Sequence, residues 1–425
     1  MGLALFAVLF TFDIEFSIGQ FATVSIWLIV ATPLLVWTAG LGKNLGRVIV
    51  FAVALSAFFV THQLFASLFL NSVPISRSLT VGPVFAVSAA LLFSSAINNS
   101  EKLLSAIVIA TKTFLIVQFS IQLAELLFSF NFIAPRDYQH YFLPMRRVSG
   151  LFLEPSHLGV ALAIPVVFLV AYPKIWMARF RVGYTALFGL IALVCPSATL
   201  LATVVIAIAL LGLRSGRNAA ALSILGALIF VWGSASVYEN RDSDPIAMRI
   251  YQTAQAISGE SPNNVNRSSM VLAKGFYIAR RVLMEKPLGF GFDNASYANE
   301  DYGFEYGGRE WRENDKDLVS IYSKVAAEMG WIGLLALILG ILFLVRAALR
   351  YKTEAAGILS MIALGLLLAN IVRGSGYFSQ GVILPFIWCW VLVFERRPTP
   401  LRQRRQAALD RVRPAFAMPR GPGNP

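Results

Sequence analysis

The chain has 425 residues, of which 57% are hydrophobic and only 14% are charged, and its mean hydropathy is +0.67. Soluble domains carry about 25% charged residues, so this composition excludes an ordinary soluble domain and makes the bilayer the expected solvent. The net charge of +13 does not indicate a nucleic-acid-binding protein, because eight arginines lie in the tail after Glu395, in the pattern of a cytoplasmic membrane anchor.

A chain embedded in hydrocarbon must satisfy every backbone polar group internally, so its spans are helices or a closed barrel. Val204–Leu213 and Gly333–Val345 are continuously apolar, whereas barrel strands alternate. The sequence therefore predicts an all-α fold, a polytopic membrane helix bundle of about 12 transmembrane helices. In chain order the predicted helices cover 2–18, 21–39, 47–70, 79–97, 103–127, 152–172, 184–196, 198–213, 219–235, 330–348, 355–372 and 379–394.

Two details of this prediction stay open. The first helix is weak, because Asp13 and Glu15 interrupt it. Pro196 marks either a tight turn between two short helices or a kink in one long helix. The two cysteines, Cys195 and Cys389, lie in apolar runs and are expected to be small buried hydrophobes with neither a disulfide nor a metal.

Four regions follow from these helices. Residues 1–235 hold nine helices, with a short external loop near 128–151. Residues 236–329 form a large periplasmic loop, which its aromatic and apolar content predicts to be folded rather than disordered. Residues 330–394 hold the last three helices, and 395–425 form a disordered basic cytoplasmic tail.

The basic residues predict the orientation. Alternating back from a cytoplasmic tail gives eleven Lys and Arg residues in the short inner loops and five in the short outer loops, as the positive-inside rule requires. The inner residues are Lys43, Arg47, Lys102, Lys174, Arg179, Arg181, Arg214, Arg217, Arg346, Arg350 and Lys352; the outer ones are Arg77, Arg136, Arg146, Arg147 and Arg373.

The first candidate site lies at the outer mouth of a predicted helix. There Arg146 and Arg147 precede Glu154 and His157, and Pro155 suits a first helical turn. Arginine holds a diphosphate with bidentate hydrogen bonds, and a carboxylate could accept the proton of a sugar hydroxyl. The alternative is an interfacial ion pair between Arg147 and Glu154.

The second candidate lies in the large loop, where a helix is predicted from about Asn266 to Lys286, with Pro287 ending it. Arg267, Lys274 and Arg281 are seven residues apart and fall on one face of it, and Arg280 flanks that face. Such a stripe suits a polyprenyl diphosphate at the outer leaflet; a solvated face or a contact with anionic lipid is the alternative.

Two further candidates are single residues. Asp317 precedes a predicted helix, so it is either a catalytic base or a helix cap. Arg373, in a predicted outer loop, is a possible diphosphate contact. We find no Walker motif, no sugar-nucleotide DxD pair and no metal-binding cluster in the sequence, so neither a metal nor a cofactor is expected.

The string Arg147-x-x-Gly150-x-x-x-Glu154-Pro155-Ser156 resembles a motif of Wzy-type O-antigen and exopolysaccharide polymerases. Further matches follow in order: a pair of short helices divided near Pro196, then Pro287-Leu-Gly-Phe-Gly291, then Glu328-Met-Gly-Trp-Ile-Gly333. The resemblance covers about residues 100–395. The related O-antigen ligases place a histidine where this chain has Val319 and Ser320, and the large loop contains no histidine, which weakens a ligase assignment.

The resemblance implies a metal-independent, inverting glycosyltransferase of the bacterial inner membrane with its active site facing the periplasm. It would polymerise polyprenyl-diphosphate-linked oligosaccharide repeat units into a surface polysaccharide. The expected partners are this lipid-linked glycan and membrane lipid, with a chain-length regulator left open and nucleic acid excluded. The alternatives are an O-antigen ligase acting on lipid A-core and a polysaccharide transporter or flippase.

The implied site has a base and a set of cations. Glu154 or Asp317 would be the base. The remaining residues would bind the diphosphate or other parts of the substrate: Arg146, Arg147, Arg267, Arg280, Arg281 and Arg373 as diphosphate ligands, with His157 and Lys274 as further substrate contacts.

Overall fold

The structure is a computed structural model. It describes residues 10, 15–18, 22–25, 45–70, 100–129, 132, 140–142, 145–152, 154–195, 197–215, 251, 267–307, 318–351, 354–374, 376–377 and 379–394. Within these residues the protein is mainly helical, with two short antiparallel strand pairs. The strands are β1 Glu15–Ile18, β2 Ala22–Ser25, β3 His140–Phe142 and β4 Met145–Arg147.

The helices follow the predicted apolar runs. They are α1 Leu45–Leu70, α2 Ser100–Phe128, α3 Pro155–Ala161, α4 Ala163–Ala171, α5 Pro173–Val194, α6 Ala198–Ser215, α7 Arg267–Glu285, α8 Ala295–Gly307, α9 Ile321–Arg350, α10 Ala355–Val372 and α11 Gln380–Phe394. Five spans among the described residues, in α1, α2, α5, α9 and α10, are long and apolar enough to cross a membrane, and shorter apolar stretches lie in α6 and α11. The protein is a helical membrane protein.

Most described boundaries agree with the sequence. The predicted helices 47–70, 103–127, 198–213, 355–372 and 379–394 correspond to α1, α2, α6, α10 and α11. The helix predicted for the large loop is α7. The predicted helices 79–97 and 219–235 lie outside the described residues, as does most of 2–39, and the total of about 12 helices is therefore not settled by these residues.

Several boundaries were wrong. β1 and β2 replace the end of the helix predicted at 2–18 and the start of the one at 21–39. The predicted helix 152–172 is divided at Leu162 into α3 and α4. The helix predicted from 184 begins at Pro173, with a break at Arg181, and the one predicted from 330 begins at Ile321, with a break at Gly330. Helix α5 ends at Val194 and α6 begins at Ala198, so these are two separate helices; Pro196 itself lies outside the described residues.

Helix α10 is the centre of the bundle. It packs against α2, α4, α6, α9 and α11, and nearly all its side chains are buried. Helix α9, by contrast, exposes a row of large apolar side chains that includes Leu335, Leu339 and Leu342. An apolar row of this size is expected to face lipid rather than water, so α9 lies at the edge of the bundle and α10 in its interior.

Hydrogen bonds between helix termini identify the two ends of the bundle. At the end that holds the Arg147–Ser156 motif, called the motif end below, α2 and α10 end and α3 and α9 begin. Three hydrogen bonds show this: Gly150 N to Glu125, Arg373 to Glu154, and Gly374 N to Val319 O. At the far end, α4 and α6 end and α10 begins: Arg214 donates to the carbonyl of Ala171, and Tyr172 to that of Gly357. Described residues of three segments that the sequence predicts to lie outside therefore meet at the motif end: the loop 128–151, the large loop 236–329 and the loop of Arg373.

Candidate functional site

The centre of the candidate site is an ion pair between two distant parts of the sequence. Arg373 Nη2 lies 2.9 Å from Glu154 Oε2, across 219 residues of chain. The hydroxyl of Ser156 donates to the same carboxylate oxygen at 2.8 Å. Glu154 is the N-cap residue of α3 with Pro155 in the first turn, and Arg373 ends α10. Two residues that the sequence indicated separately thus form one unit.

The environment of Glu154 favours its ionised form. Burial raises the pKa of this carboxyl, but the charges of Arg373 and His157 and the hydrogen bond from Ser156 outweigh burial and hold the pKa below its ordinary value of 4.5. A carboxylate with a lowered pKa is a weaker base. The geometry therefore gives Glu154 the position of a residue that orients Arg373 and makes it less suited to accept a proton.

A polar face of α2 holds the turn that precedes Glu154. Gln118, Gln122 and Glu125 are nearly or fully buried in α2. Their side chains form hydrogen bonds with backbone N–H and C=O groups of residues 148–151, which lie outside the helices. The hydrogen bonds are Gln118 Nε2 to Ser149 O (2.9 Å), Leu151 N to Gln118 Oε1 (3.1 Å), Gln122 Nε2 to Val148 O (2.7 Å) and Gly150 N to Glu125 Oε2 (3.0 Å).

Gly150 is required at this turn. Its φ is +64°, and a methyl group there would lie 2.5 Å from Gln118 Nε2. Only glycine adopts this conformation without strain and leaves room for the glutamine. The glycine of the motif is thus explained by the close approach of α2.

The other two motif segments are in contact with each other. Gly330 has a φ of 57° and interrupts α9, so Trp331 donates its backbone N–H to Pro287 O at 3.0 Å instead of to its own helix. The carbonyls released by this break accept hydrogen bonds from the loop after α7. These bonds are Phe290 N to Ala327 O (2.9 Å) and Gly291 N to Glu328 O (2.8 Å).

Helix α1 supports the same loop from the other side. His62 donates from Nε2 to Leu288 O at 3.1 Å, and Asn294 Nδ2 donates to Gln63 Oε1 at 3.3 Å. The segment 287–294 is therefore fixed between α1 and the interrupted α9. This gives His62 a structural role as a buried donor, as expected for a histidine within an apolar helix.

The predicted cationic stripe faces helix α8. Lys274 is buried, and its side chain packs against Asn299 and Gly303 of α8. Arg281 pairs with Glu285 at 3.1 Å and with Glu305 of α8 at 3.2 Å. Lys274 and Arg281 therefore do lie on one face of α7, but helix α8 packs against that face and covers it.

Most of the remaining candidate residues lie on α3, α7 and β4. Arg280 is exposed on α7, and His157 is half-buried one turn after Glu154. Arg146 and Arg147 lie in β4, and Arg267 begins α7, but their side chains lie outside the described part of the structure. Asp317 is also outside it. The described N-cap of α9 is Ser320, whose side chain accepts from Ser323 N at 3.1 Å, so α9 does not need Asp317 as its cap.

Sequence reasoning missed a second ionic group at the motif end. Lys324 Nζ lies 3.9 Å from Asp293 Oδ1, and the carboxylate of Glu328 is completely buried nearby. The signal was present as Lys324 and Glu328 four residues apart, together with Ser320 and Ser323. Because these polar residues precede an apolar run, the sequence pattern favours a loop there, whereas in the structure they form the start of α9.

Among the residues that the structure describes, no group of His, Cys, Asp and Glu side chains is arranged to hold a metal ion; a metal-independent reaction stays a prediction. No family model matches this chain, and no curated protein matches it. The fold and the site thus define a helical membrane protein with two partly buried ion pairs at one end of its bundle.

Proposed function

We propose that this protein is a membrane glycosyltransferase that polymerises polyprenyl-diphosphate-linked oligosaccharide repeat units at the periplasmic face of the inner membrane. The observation that carries the proposal is the Glu154–Arg373 pair. It joins the Arg147–Ser156 motif to the end of α10, at the same end of the bundle where the 287–291 and 328–333 segments are in contact.

The chemistry of a lipid diphosphate suits this location. The leaving diphosphate carries negative charge that a guanidinium can stabilise with preorganised donors, and Arg373 is held in place by a carboxylate rather than left mobile. The isoprenoid tail stays in the bilayer, which explains why the donors project from the ends of apolar helices. Arg146, Arg147, Arg267 and Arg280 remain proposed diphosphate ligands, and Asp317 remains a proposed base.

The orientation belongs to the same proposal. Seven described basic residues lie on the helix segments that approach the far end, and the positive-inside rule would place that end in the cytoplasm. They are Lys102, Lys174, Arg179, Arg181, Arg214, Arg346 and Arg350. The Glu154–Arg373 pair would then face the periplasm.

The direct test is polymerisation by the purified protein in nanodiscs, with the lipid-linked repeat unit of its own host as substrate. We expect a ladder of lipid-linked oligomers on a gel. Arg147→Ala combined with Glu154→Ala should abolish the ladder, and Arg373→Ala should reduce it strongly. Arg346→Ala, an exposed arginine at the far end, is the matched control and should leave it unchanged. A ladder made by the double variant would remove the site assignment, and no ladder from the wild type would remove the polymerase.

The ligase alternative is less well supported. Ser320 occupies the position nearest to the ligase histidine, and its hydroxyl is used to cap α9. A gene deletion separates the two activities. Loss of a polymerase leaves single repeats on the lipid carrier, whereas loss of a ligase leaves long lipid-linked polymer.

A further inference from the structure

The second ionic group at the motif end consists of Lys324 and Asp293. Their side chains are only 10% and 18% exposed, and the nitrogen–oxygen distance is 3.9 Å. A charge-assisted hydrogen bond would measure about 2.7–2.9 Å. Lys324 and Asp293 therefore attract each other as a largely buried ion pair, at a distance longer than that of a charge-assisted hydrogen bond.

Glu328 fixes the position of Asp293. The Glu328 carboxylate is completely buried and accepts the backbone N–H of Asp293 at 2.8 Å and of Ala295 at 3.2 Å. Asp293 has a φ of 62°, in the left-handed region that a non-glycine residue adopts at a cost. The buried carboxylate holds Asp293 in this conformation, from which its side chain reaches Lys324.

The pair lies beside the loop that begins at Arg373. A methyl group at Gly376 would be 3.4 Å from Lys324 Nζ, and the ammonium lies 5.2 Å from the ring centre of Tyr377. The N–H of Gly374 bonds to the carbonyl of Val319, just before α9, at 2.9 Å. One short loop therefore has Arg373 at its start and Lys324 against its middle.

We propose that Lys324 is a second anion-binding residue of this site, with Asp293 as the counter-ion that a bound diphosphate displaces. The proposal rests on the proposed function and specifies its donor site: Arg373, which ends α10, and Lys324, which lies against Gly376 and Tyr377, would contact the same diphosphate. An ammonium offers three donors, and phosphate oxygens would accept hydrogen bonds from them in place of the displaced Asp293 carboxylate. Glu328 is then a positioning residue that keeps the counter-ion in reach.

The test measures equilibrium binding of labelled undecaprenyl diphosphate to the protein in nanodiscs. Lys324→Gln should weaken binding about tenfold, and Lys324→Arg should keep most of the affinity. Asp293→Asn should tighten binding a few-fold, because the competing carboxylate charge is gone. Misfolding cannot produce that gain. Arg346→Gln, another cation of α9, is the control with wild-type affinity.

Two ligand arms identify the source of the phosphate. If the site recognises a membrane-anchored diphosphate, inorganic diphosphate should compete only weakly and undecaprenol should not compete. Strong competition by inorganic diphosphate alone would mean that the ligand of the site is a free ion and not a lipid. Wild-type affinity in Lys324→Gln, with a loss in Arg373→Gln, would overturn this inference and leave the proposed function standing. No binding of undecaprenyl diphosphate by the wild type would overturn both.

Discussion

Glu154 has two candidate roles at this site: it is either the base of the proposed reaction or the residue that orients Arg373. The sequence offers it as a catalytic base, whereas its pKa is held low and its Oε2 is bonded to Arg373 and Ser156. A residue that orients a donor-binding arginine affects binding of the lipid-linked donor more than the chemical step. The kinetic parameters therefore distinguish the two roles.

We expect Glu154→Gln to raise the KM for the lipid-linked donor about tenfold, with a smaller decrease in kcat. Glutamine keeps the size of the side chain but loses the charge that holds Arg373. Initial rates against donor concentration give both parameters, and Glu101→Gln, at the exposed start of α2, is the control. A collapse of kcat with an unchanged KM would make Glu154 the base.

The same carboxyl predicts a dependence of stability on pH. Its pKa is lower in the folded protein than the ordinary 4.5, so its contribution to the free energy of unfolding is present above that value and is lost as pH falls through the folded-state pKa. The stability difference between the wild type and Glu154→Gln should thus be full near neutral pH and shrink as pH falls below 4.5. Thermal unfolding in detergent measures it. A difference that stays constant over this range would contradict the lowered pKa.

At the scale of a single element, helix α2 contributes to the site through the buried amide side chain of Gln118. Gln118 has a donor and an acceptor engaged by the 148–151 turn. We expect Gln118→Leu to lower the free energy of unfolding by about 1–3 kcal/mol, because it leaves buried backbone groups unpaired. Activity should fall as well, since the turn carries Glu154. Both are measured beside Ser120→Ala, whose exposed hydroxyl bonds only to its own helix. Equal effects of the two changes would contradict a specific role of the amide.

The break in α9 at Gly330 is a second property of an element. A methyl group at Gly330 would overlap the carbonyl oxygen of Pro287, and the positive φ adds strain of about 1–3 kcal/mol. Gly330→Ala should therefore destabilise the protein and separate the 287–291 loop from α9. Gly340 lies on the same helix with nothing within 4 Å of an added methyl group.

Gly340→Ala should be neutral or slightly stabilising, by about 0.5–1 kcal/mol, because alanine has the higher helix propensity. Thermal midpoints of both variants, together with protease cleavage in the 287–291 segment, are the measurements. Equal midpoints would mean that the backbone at Gly330 is not constrained.

These elements show which features could be predicted from the sequence. Helix α10 has the predicted bounds, Ala355–Val372, because an apolar run is bounded by polar residues at both ends. The start of α9 was missed because Lys324 and Glu328 are polar but buried, and their burial depends on partners far away in the sequence. The same holds for Glu154 and Arg373: each was identified from its neighbours, but a separation of 219 residues leaves no periodic pattern that reveals the pairing.

For the whole molecule, the directions of the helices agree with the predicted alternation. Helices α2 and α10 run towards the motif end, and α3, α9 and α11 begin there, as the contacts of Glu125, Glu154, Val319 and Ser379 show. The basic residues of α5 and α6, together with Arg346 and Arg350 of α9, lie towards the other end. The proposed orientation, with the motif end in the periplasm, rests on these basic residues, because the positive-inside rule would place them in the cytoplasm.

Labelling of single cysteines tests this orientation directly. In a background with Cys195→Ala and Cys389→Ala, Glu300→Cys is exposed on α8 near the motif end, and Arg346→Cys is exposed near the far end. In intact spheroplasts a membrane-impermeant maleimide should label the first and not the second, whereas permeabilised cells should label both. The reverse pattern would place the ionic cluster in the cytoplasm. A polymerase of exported lipid-linked repeats could not work from there, so the orientation and the proposed reaction would have to be abandoned together.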